Sequence, residues 1–176
     1  MVYIGIGSNL PSEFGNRFKN IDLAISILEK KDVKILKKSS FYETFSQPNR
    51  NDPKFINIVI SVETNLSPID LMLTLIRIEE KLGRKRKIRN EPRTCDIDII
   101  DFRGIVKILS VDNFELKLPH ERLIDRNFVL HPLKEICPNW IHPKSKKSID
   151  ILINNLKLSN NEITKLSQND INKHAK

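Results

Sequence analysis

Between Phe55 and Thr64 the chain alternates strictly. Ile56, Ile58, Ile60 and Val62 fall on one side and Phe55, Asn57, Val59, Ser61 and Glu63 on the other, the pattern of a strand with one face in a core. Val2 to Leu10, VYIGIGSNL, predicts a short buried strand ending in a turn. Phe18, Ile21, Ile25 and Leu28 recur at helical spacing and predict an amphipathic helix from about Asn16 to Lys30. Val33 to Thr44 reads as one long strand, and Pro48 to Pro53, PNRNDP, as a turn-rich loop. Ser67 is a good N-cap, with Pro68 at the first helical position and Asp70 in the first turn, and the stripe Leu71, Leu75, Ile78, Leu82 carries that helix to about Leu82. In the next strand Cys95, Ile97, Ile99 and Asp101 point one way and Thr94, Asp96, Asp98, Ile100 and Phe102 the other. A short strand pair follows Gly104, then the loop Leu118 to Arg122, a helix from Phe128 to about Ile136 and a last helix from Ser148 to Leu156.

The order strand, helix, strand, strand, helix, strand predicts an α+β fold: a ferredoxin-like βαββαβ core with an antiparallel sheet, helices packed on it and a C-terminal helical extension. One face of such a sheet is covered by helices and the other can stay open, so Asn57 and Asp96, on different strands, can meet in one cleft. The chain's 176 residues suit one domain, 1–156, followed by a polar tail, 157–176, expected to be loosely held. No run of 18 apolar residues occurs, the first ten residues lack a signal-peptide pattern, and Cys95 and Cys137 show no CxxC spacing. These features predict a cytoplasmic protein with reduced thiols and no membrane partner.

Charge changes the picture at one place. Of the net charge of +8, the ten residues from Arg84 to Arg93 supply +5, so the cations point to one anionic ligand more than to a whole-surface polyanion binder. Arg84, Lys85, Arg86, Lys87, Arg89 and Arg93 show neither helical nor strand period and read as a mobile loop. Beside them stand Asp96 and Asp98, which share a strand face about 7 Å apart, near enough for both to hold Mg²⁺, a cation that takes oxygen ligands and keeps positions for substrate phosphates. Metal plus arginine is the usual means of neutralising a transferring phosphoryl group. A solvated loop or a nucleic-acid patch explains the cations alone, but two carboxylates beside them would repel a backbone phosphate. No nucleic-acid partner is therefore expected. Gly5-x-Gly7 lacks the third glycine of a dinucleotide fingerprint, and no HExxH zinc spacing occurs.

Six blocks in one colinear order carry a resemblance: YIGIGSNL from Tyr3, SSFYET from Ser39, Phe55-Ile56-Asn57, RIEEKLGRKR from Arg77, EPRTCDIDII from Glu91 and LPHERLIDRNFVL from Leu118. Together they resemble the 6-hydroxymethyl-7,8-dihydropterin pyrophosphokinases of folate biosynthesis. The resemblance implies a diphosphotransferase, an ATP-dependent pyrophosphokinase that moves pyrophosphate from ATP to the pterin's hydroxymethyl oxygen and releases AMP. It implies that Asp96 and Asp98 hold two Mg²⁺ ions and that Arg84 and Arg93 act on the phosphates as catalytic groups. Arg86 and Arg89 assist from the loop, and Glu79, His120 and Arg126 line the ATP site. Thr44 and Asn57 hydrogen-bond the pterin, and Phe55 and Phe128 sandwich its ring. A monomer is expected. The chain departs from the family pattern at Asn90 and Glu91, where a tryptophan and a glycine are usual, and at Phe45 and Gln47, where the pterin wall usually has small or apolar residues. Taken without the resemblance, the DxD strand equally allows a Mg-dependent nucleotidyl or phosphoryl transferase with another small-molecule acceptor.

Overall fold

The structure, a computed structural model, describes residues 1–84, 91–111, 114–156 and 162–173. Strand β1 (Val2–Ser8) leads to helix α1 (Arg17–Glu29), which Asn16 caps by accepting from Lys19 N at 3.1 Å. Strands β2 (Val33–Lys38), β3 (Tyr42–Thr44) and β4 (Phe55–Thr64) follow. Helix α2 (Pro68–Lys81) opens on Ser67, whose Oγ accepts from Asp70 N at 3.1 Å. Strand β5 (Asp96–Phe102), the hairpin β6 (Lys107–Val111) and β7 (Phe114–Leu118), and helices α3 (Asn127–Ile136) and α4 (Ile149–Asn154) come next. The described chain ends in strand β8 (Ile163–Lys165) and helix α5 (Gln168–Lys173).

The main sheet runs β5-β1-β4-β3-β8, with β2 also pairing β4, and its ladders are antiparallel. This is the ferredoxin-like arrangement. One face, carrying Ile4, Ile6, Ile56, Ile58, Ile60, Ile97 and Ile99, packs on Phe18, Ile21 and Leu28 of α1 and on Leu71, Leu75 and Ile78 of α2. On the other face Tyr3, Val59 and Ile100 pack against Leu130, Leu133, Trp140, Ile149 and Leu152. The second cluster covers only part of its face. The β1–β4–β5 segment carrying Gly5, Gly7, Asn57, Asp96 and Asp98 is left to line a cleft.

Three departures from the sequence pattern have local causes. The long strand expected over Val33–Thr44 is two strands, because the ladder slips between Ile35 and Lys37 and the next residues turn to side-chain bonds. Ser39 Oγ accepts from Val59 N at 3.0 Å, and Ser40 Oγ donates to Glu135 at 2.8 Å. In β5, the register against β1 steps from Ile4↔Ile99 to Tyr3↔Asp101, so Ile100 is an extra, bulged residue. Asp101 therefore lies on the Tyr3 side, where its Oδ2 accepts from Trp140 Nε1 at 2.9 Å and its Oδ1 from Gly104 N at 2.8 Å, and Phe102 joins the α1/α2 core. This reverses the faces expected for Asp101 and Phe102. Finally, part of the tail expected to be loosely held is docked: β8 pairs with β3, and Leu166 is buried in the α1/α2 core with its N donating to Phe41 O at 2.9 Å. Ile163, Leu166 and Ile171 give this otherwise polar segment its apolar anchors, and the β3 edge supplies open backbone groups for them to follow.

Asp101→Asn keeps an acceptor for only one of its two donors and leaves the other unpartnered next to the core. Urea unfolding followed by circular dichroism should show a loss of about 1 to 3 kcal/mol.

Candidate active site

The cleft has a volume of about 300 Å³, and Gly5 and Gly7 form part of its floor. A Cβ on Gly7 would sit 3.0 Å from Asn57 Oδ1, and one on Gly5 would sit 3.2 Å from Ile100 Cδ1. The two glycines thus leave the space between β4 and β5 that side chains would fill. Gly7 lies opposite both Asn57 and Asp96, and Gly5 opposite Asp98. The polar groups of three strands are brought into one row.

At one end stand the two carboxylates. Asp96 Oδ1 accepts from Arg84 at 2.6 Å and its Oδ2 lies 3.2 Å from Arg93 Nε, while Asp98 Oδ2 lies 3.1 Å from Arg126 and 3.6 Å from His120 Nε2. Burial works to raise the Asp98 carboxyl, and the charges of His120, Arg126 and Arg84 outweigh it and hold the group below the ordinary range. His120 is held below its usual value, first by burial and then by Arg126 and Arg122, with Asp98 opposing. A backbone bond from His120 N to Ile100 O, 2.9 Å long, fixes this histidine beside β5.

Glu79 is buried behind this group. Its Oε1 accepts from Ile97 N at 2.7 Å and from Arg84, so it fastens α2 to β5 and anchors the guanidinium that reaches Asp96. Burial works against the Arg84 charge, and Asp96 and Glu79 more than restore it. Arg93 is placed by Asn9, whose Oδ1 accepts from Arg93 N at 2.6 Å and whose Nδ2 donates to Pro53 O at 3.0 Å. Asn20 ties Leu10 O to Thr94 O through its own amide. Neither asparagine stood out from spacing or charge. Their signal was polarity at positions the surrounding pattern marks as buried.

At the other end Asn57 Nδ2 donates to Thr44 Oγ1 at 3.0 Å, both residues being buried, and Phe55 and Phe128 line the same cleft. Each ring carries a cation: the Arg93 guanidinium lies 5.3 Å from the Phe55 centroid and that of Arg126 lies 5.5 Å from the Phe128 centroid. The arginines therefore link the aromatic end to the carboxylate end. Of the predicted residues, Thr44, Phe55, Asn57, Arg93, Asp96, Asp98, Arg126 and Phe128 line one cavity, Arg84 and His120 flank its carboxylates, and Glu79 sits behind them. Arg86 and Arg89 lie outside the described residues. His142 belongs to a turn, its Nδ1 accepting from Lys144 N and Ser145 N.

Among the described residues no group of three or more His, Cys, Asp or Glu forms a metal cage. The donor set is two carboxylates on an open face, already surrounded by three guanidinium groups standing in for cations. Hard oxygen donors with room beside them fit Mg²⁺, which fills its remaining positions with water and phosphate.

Fold and cleft together define a ferredoxin-like α+β domain whose cleft joins a carboxylate-and-arginine end to an aromatic, amide-edged end. Comparison with known proteins gives the family. The profile described as 7,8-dihydro-6-hydroxymethylpterin-pyrophosphokinase (HPPK) matches residues 3–138, and the chain belongs to that family. It is 37% identical over 148 residues to the 2-amino-4-hydroxy-6-hydroxymethyldihydropteridine pyrophosphokinase of Aquifex aeolicus, covering 84% of this chain and 87% of that one. It is 39% identical over 159 residues to the folic acid synthesis protein FOL1 of Dictyostelium discoideum, covering 90% of this chain but 22% of that protein. The chain thus spans about a fifth of the length of such larger relatives. The crystal structure of Plasmodium falciparum HPPK-DHPS shares the fold, with a TM-score of 0.70 at 15% identity over 87% of this chain and 44% of that one.

Because Glu79 satisfies a buried backbone donor and a half-buried guanidinium at once, Glu79→Ala should cost about 3 kcal/mol, and Glu79→Gln, which retains an acceptor, about 1 kcal/mol. Chemical denaturation of the two variants checks the order.

Proposed function

We propose that this chain transfers the terminal pyrophosphate of ATP to the hydroxymethyl oxygen of 6-hydroxymethyl-7,8-dihydropterin, giving the pterin diphosphate and AMP. The observation that carries the reading is the single cavity shared by Asp96 and Asp98 at one end and Thr44, Asn57, Phe55 and Phe128 at the other. A flat bicycle with a polar edge wants aromatic faces and a few directed partners. After donating to Thr44, Asn57 still has an amide hydrogen and its carbonyl oxygen for such an edge.

Asp96 and Asp98 are the residues to hold Mg²⁺, two ions in our reading, and the metal supplies neutralisation of phosphate charge. The arginines do the rest. Arg84 and Arg93 sit on Asp96, and Arg126 on Asp98, so three guanidinium groups stand beside the carboxylates that would hold the metal and could pair with the phosphates of its nucleotide. His120, fixed by its backbone bond to Ile100 O, can donate through Nε2 to a phosphate or ribose oxygen. Attack by a primary alcohol on phosphorus needs chiefly alignment and charge neutralisation, and the cavity supplies both without an obvious general base. The free thiols Cys95 and Cys137 suit a cytoplasmic setting, and no helix among the described residues is long and apolar enough to cross a membrane.

Incubation with Mg-ATP and the pterin should yield AMP, whereas ADP as the nucleotide product would mean single phosphoryl transfer. Asp96→Asn and Asp98→Asn should each lower turnover by several kcal/mol of barrier, about a hundredfold or more, with part recovered at high Mg²⁺. Asp101→Asn, tied to Trp140, should turn over normally once folded, and equal loss in all three variants would defeat the assignment.

Phe55→Ala and Phe128→Ala should weaken pterin binding by roughly 1 to 3 kcal/mol and leave ATP binding nearly unchanged. Calorimetric titration with each substrate separates this from a general loss of packing, which would weaken both.

A further inference from the structure

The family match ends at residue 138, yet a residue well beyond it, Glu162, lines the cleft. Glu162 touches both lips of the cavity. Its carboxylate pairs with Arg50 of the loop after β3, and its carbonyl accepts from Asn127 Nδ2, in the first turn of α3, at 3.4 Å. Arg50 in turn lies over the Phe45 ring, 4.1 Å from its centroid, and Arg50, Phe45 and Asn127 all line the same cavity. An exposed ion pair of this kind contributes little to folding. Its place across the cavity mouth is what gives it consequence.

The segment that carries Glu162 is firmly seated. Ile163, Thr164 and Lys165 pair with Thr44, Glu43 and Tyr42, Lys165 Nζ lies 3.2 Å from Glu135, and Leu166 and Ile171 pack on the α1/α2 core. Without β8, the three-residue β3 would be an edge strand, held along one side only by its pairing with Phe55, Ile56 and Asn57. Thr44, the partner of Asn57, sits on that strand. The segment therefore both braces the polar edge of the heterocycle end and places a charged pair over its entrance.

We propose that residues 162–171 form a strap that completes the binding site for the flat heterocycle, with β8 fixing Thr44 and the Arg50–Glu162 pair forming the outer wall. This deepens the pterin reading above and rests on it. Phe45 and Gln47 belong to the same wall, and Arg50 lies on the Phe45 ring. The strap is specific to the heterocycle end, since Asp96, Asp98 and the arginines on them make no contact with it in the bonds described.

The test uses the full chain, a version ending at residue 161, and Glu162→Ala, each titrated with 6-hydroxymethylpterin by fluorescence and with Mg-ATP by calorimetry, with circular dichroism to check folding. Loss of the strap should raise the pterin Kd about tenfold, and Glu162→Ala should raise it about threefold, while the ATP Kd moves less than about twofold. Arg50→Ala combined with Glu162→Ala should be no worse than the more affected single variant, because the two act as one pair. An unchanged pterin Kd in the folded truncation or in Glu162→Ala, or an equal loss for ATP, overturns the strap. If the truncation does not fold, Glu162→Ala decides alone. A full-length chain that makes AMP and the pterin diphosphate while its truncation binds pterin equally well leaves the function standing and removes the strap; a full-length chain that binds no pterin removes both.

Discussion

Two carboxylates on alternate residues of one strand stand about 7 Å apart and repel by about 2 kcal/mol at an effective dielectric of about 20. Strand β5 holds Asp96 and Asp98 in that relation because cations from three other places converge on them: Arg84 just after α2, Arg93 in the segment before β5 and Arg126 before α3. The pairs are half-buried, so solvent screens part of their attraction. Their larger effect is organisational. Two of these arginines are tied elsewhere as well, Arg84 to Glu79 and Arg93 through its backbone N to Asn9, so the charge cluster fixes where the ends of α2, β5 and α3 meet.

That cluster is only useful if the sheet leaves space above it, and the space comes from what β1 lacks. Tyr3 at one end of β1 reaches the α3/α4 core, while Gly5 and Gly7 present nothing to the same face. A sheet face covered along its whole length would have buried Asn57 and both aspartates without a ligand, at a desolvation cost that their mutual bonds could not offset. A face left wholly open would have exposed Val59 and Ile100. The division of the face at Gly5 resolves the conflict, and Ile100, bulged out of register, fills the boundary.

Much of this was legible in the chain. Elements whose causes are local were readable: the alternation of β4, the Ser67 cap of α2, and the pairing of two alternate aspartates with a basic run. The features that were not readable depend on contacts far apart in sequence. The break at Ser39 is fixed by Val59 and Glu135, the bulge at Ile100 by the register against Tyr3 and by Trp140, and the docking of β8 by the open edge of β3. None of these leaves a periodic trace, because each is one residue answering a partner brought near by the fold. The face assigned to Asp101 failed for that reason: strict alternation is a rule for regular strands, and one extra residue inverts it.

The two ends of the cleft also differ in how ready they are for a ligand. At the aromatic end Asn57 and Thr44 already hold each other, and Phe55 and Phe128 already line the cavity, so the pterin of the proposed reaction would meet partners already in place. At the other end the carboxylates and arginines satisfy one another, and the metal-bound polyphosphate of the proposed reaction would have to exchange those partners. Such an exchange would conserve charge pairing, with Asp96 and Asp98 as the residues to hold the metal and Arg84, Arg93 and Arg126 as those to meet the phosphates. Such a swap costs far less than baring a charge, because no ion is left without a counterpart at either stage. A site of this kind keeps its charges paired within the chain and would give up those pairs to a ligand that carries both signs of charge, which is what distinguishes a metal-bound triphosphate from a bare polyanion.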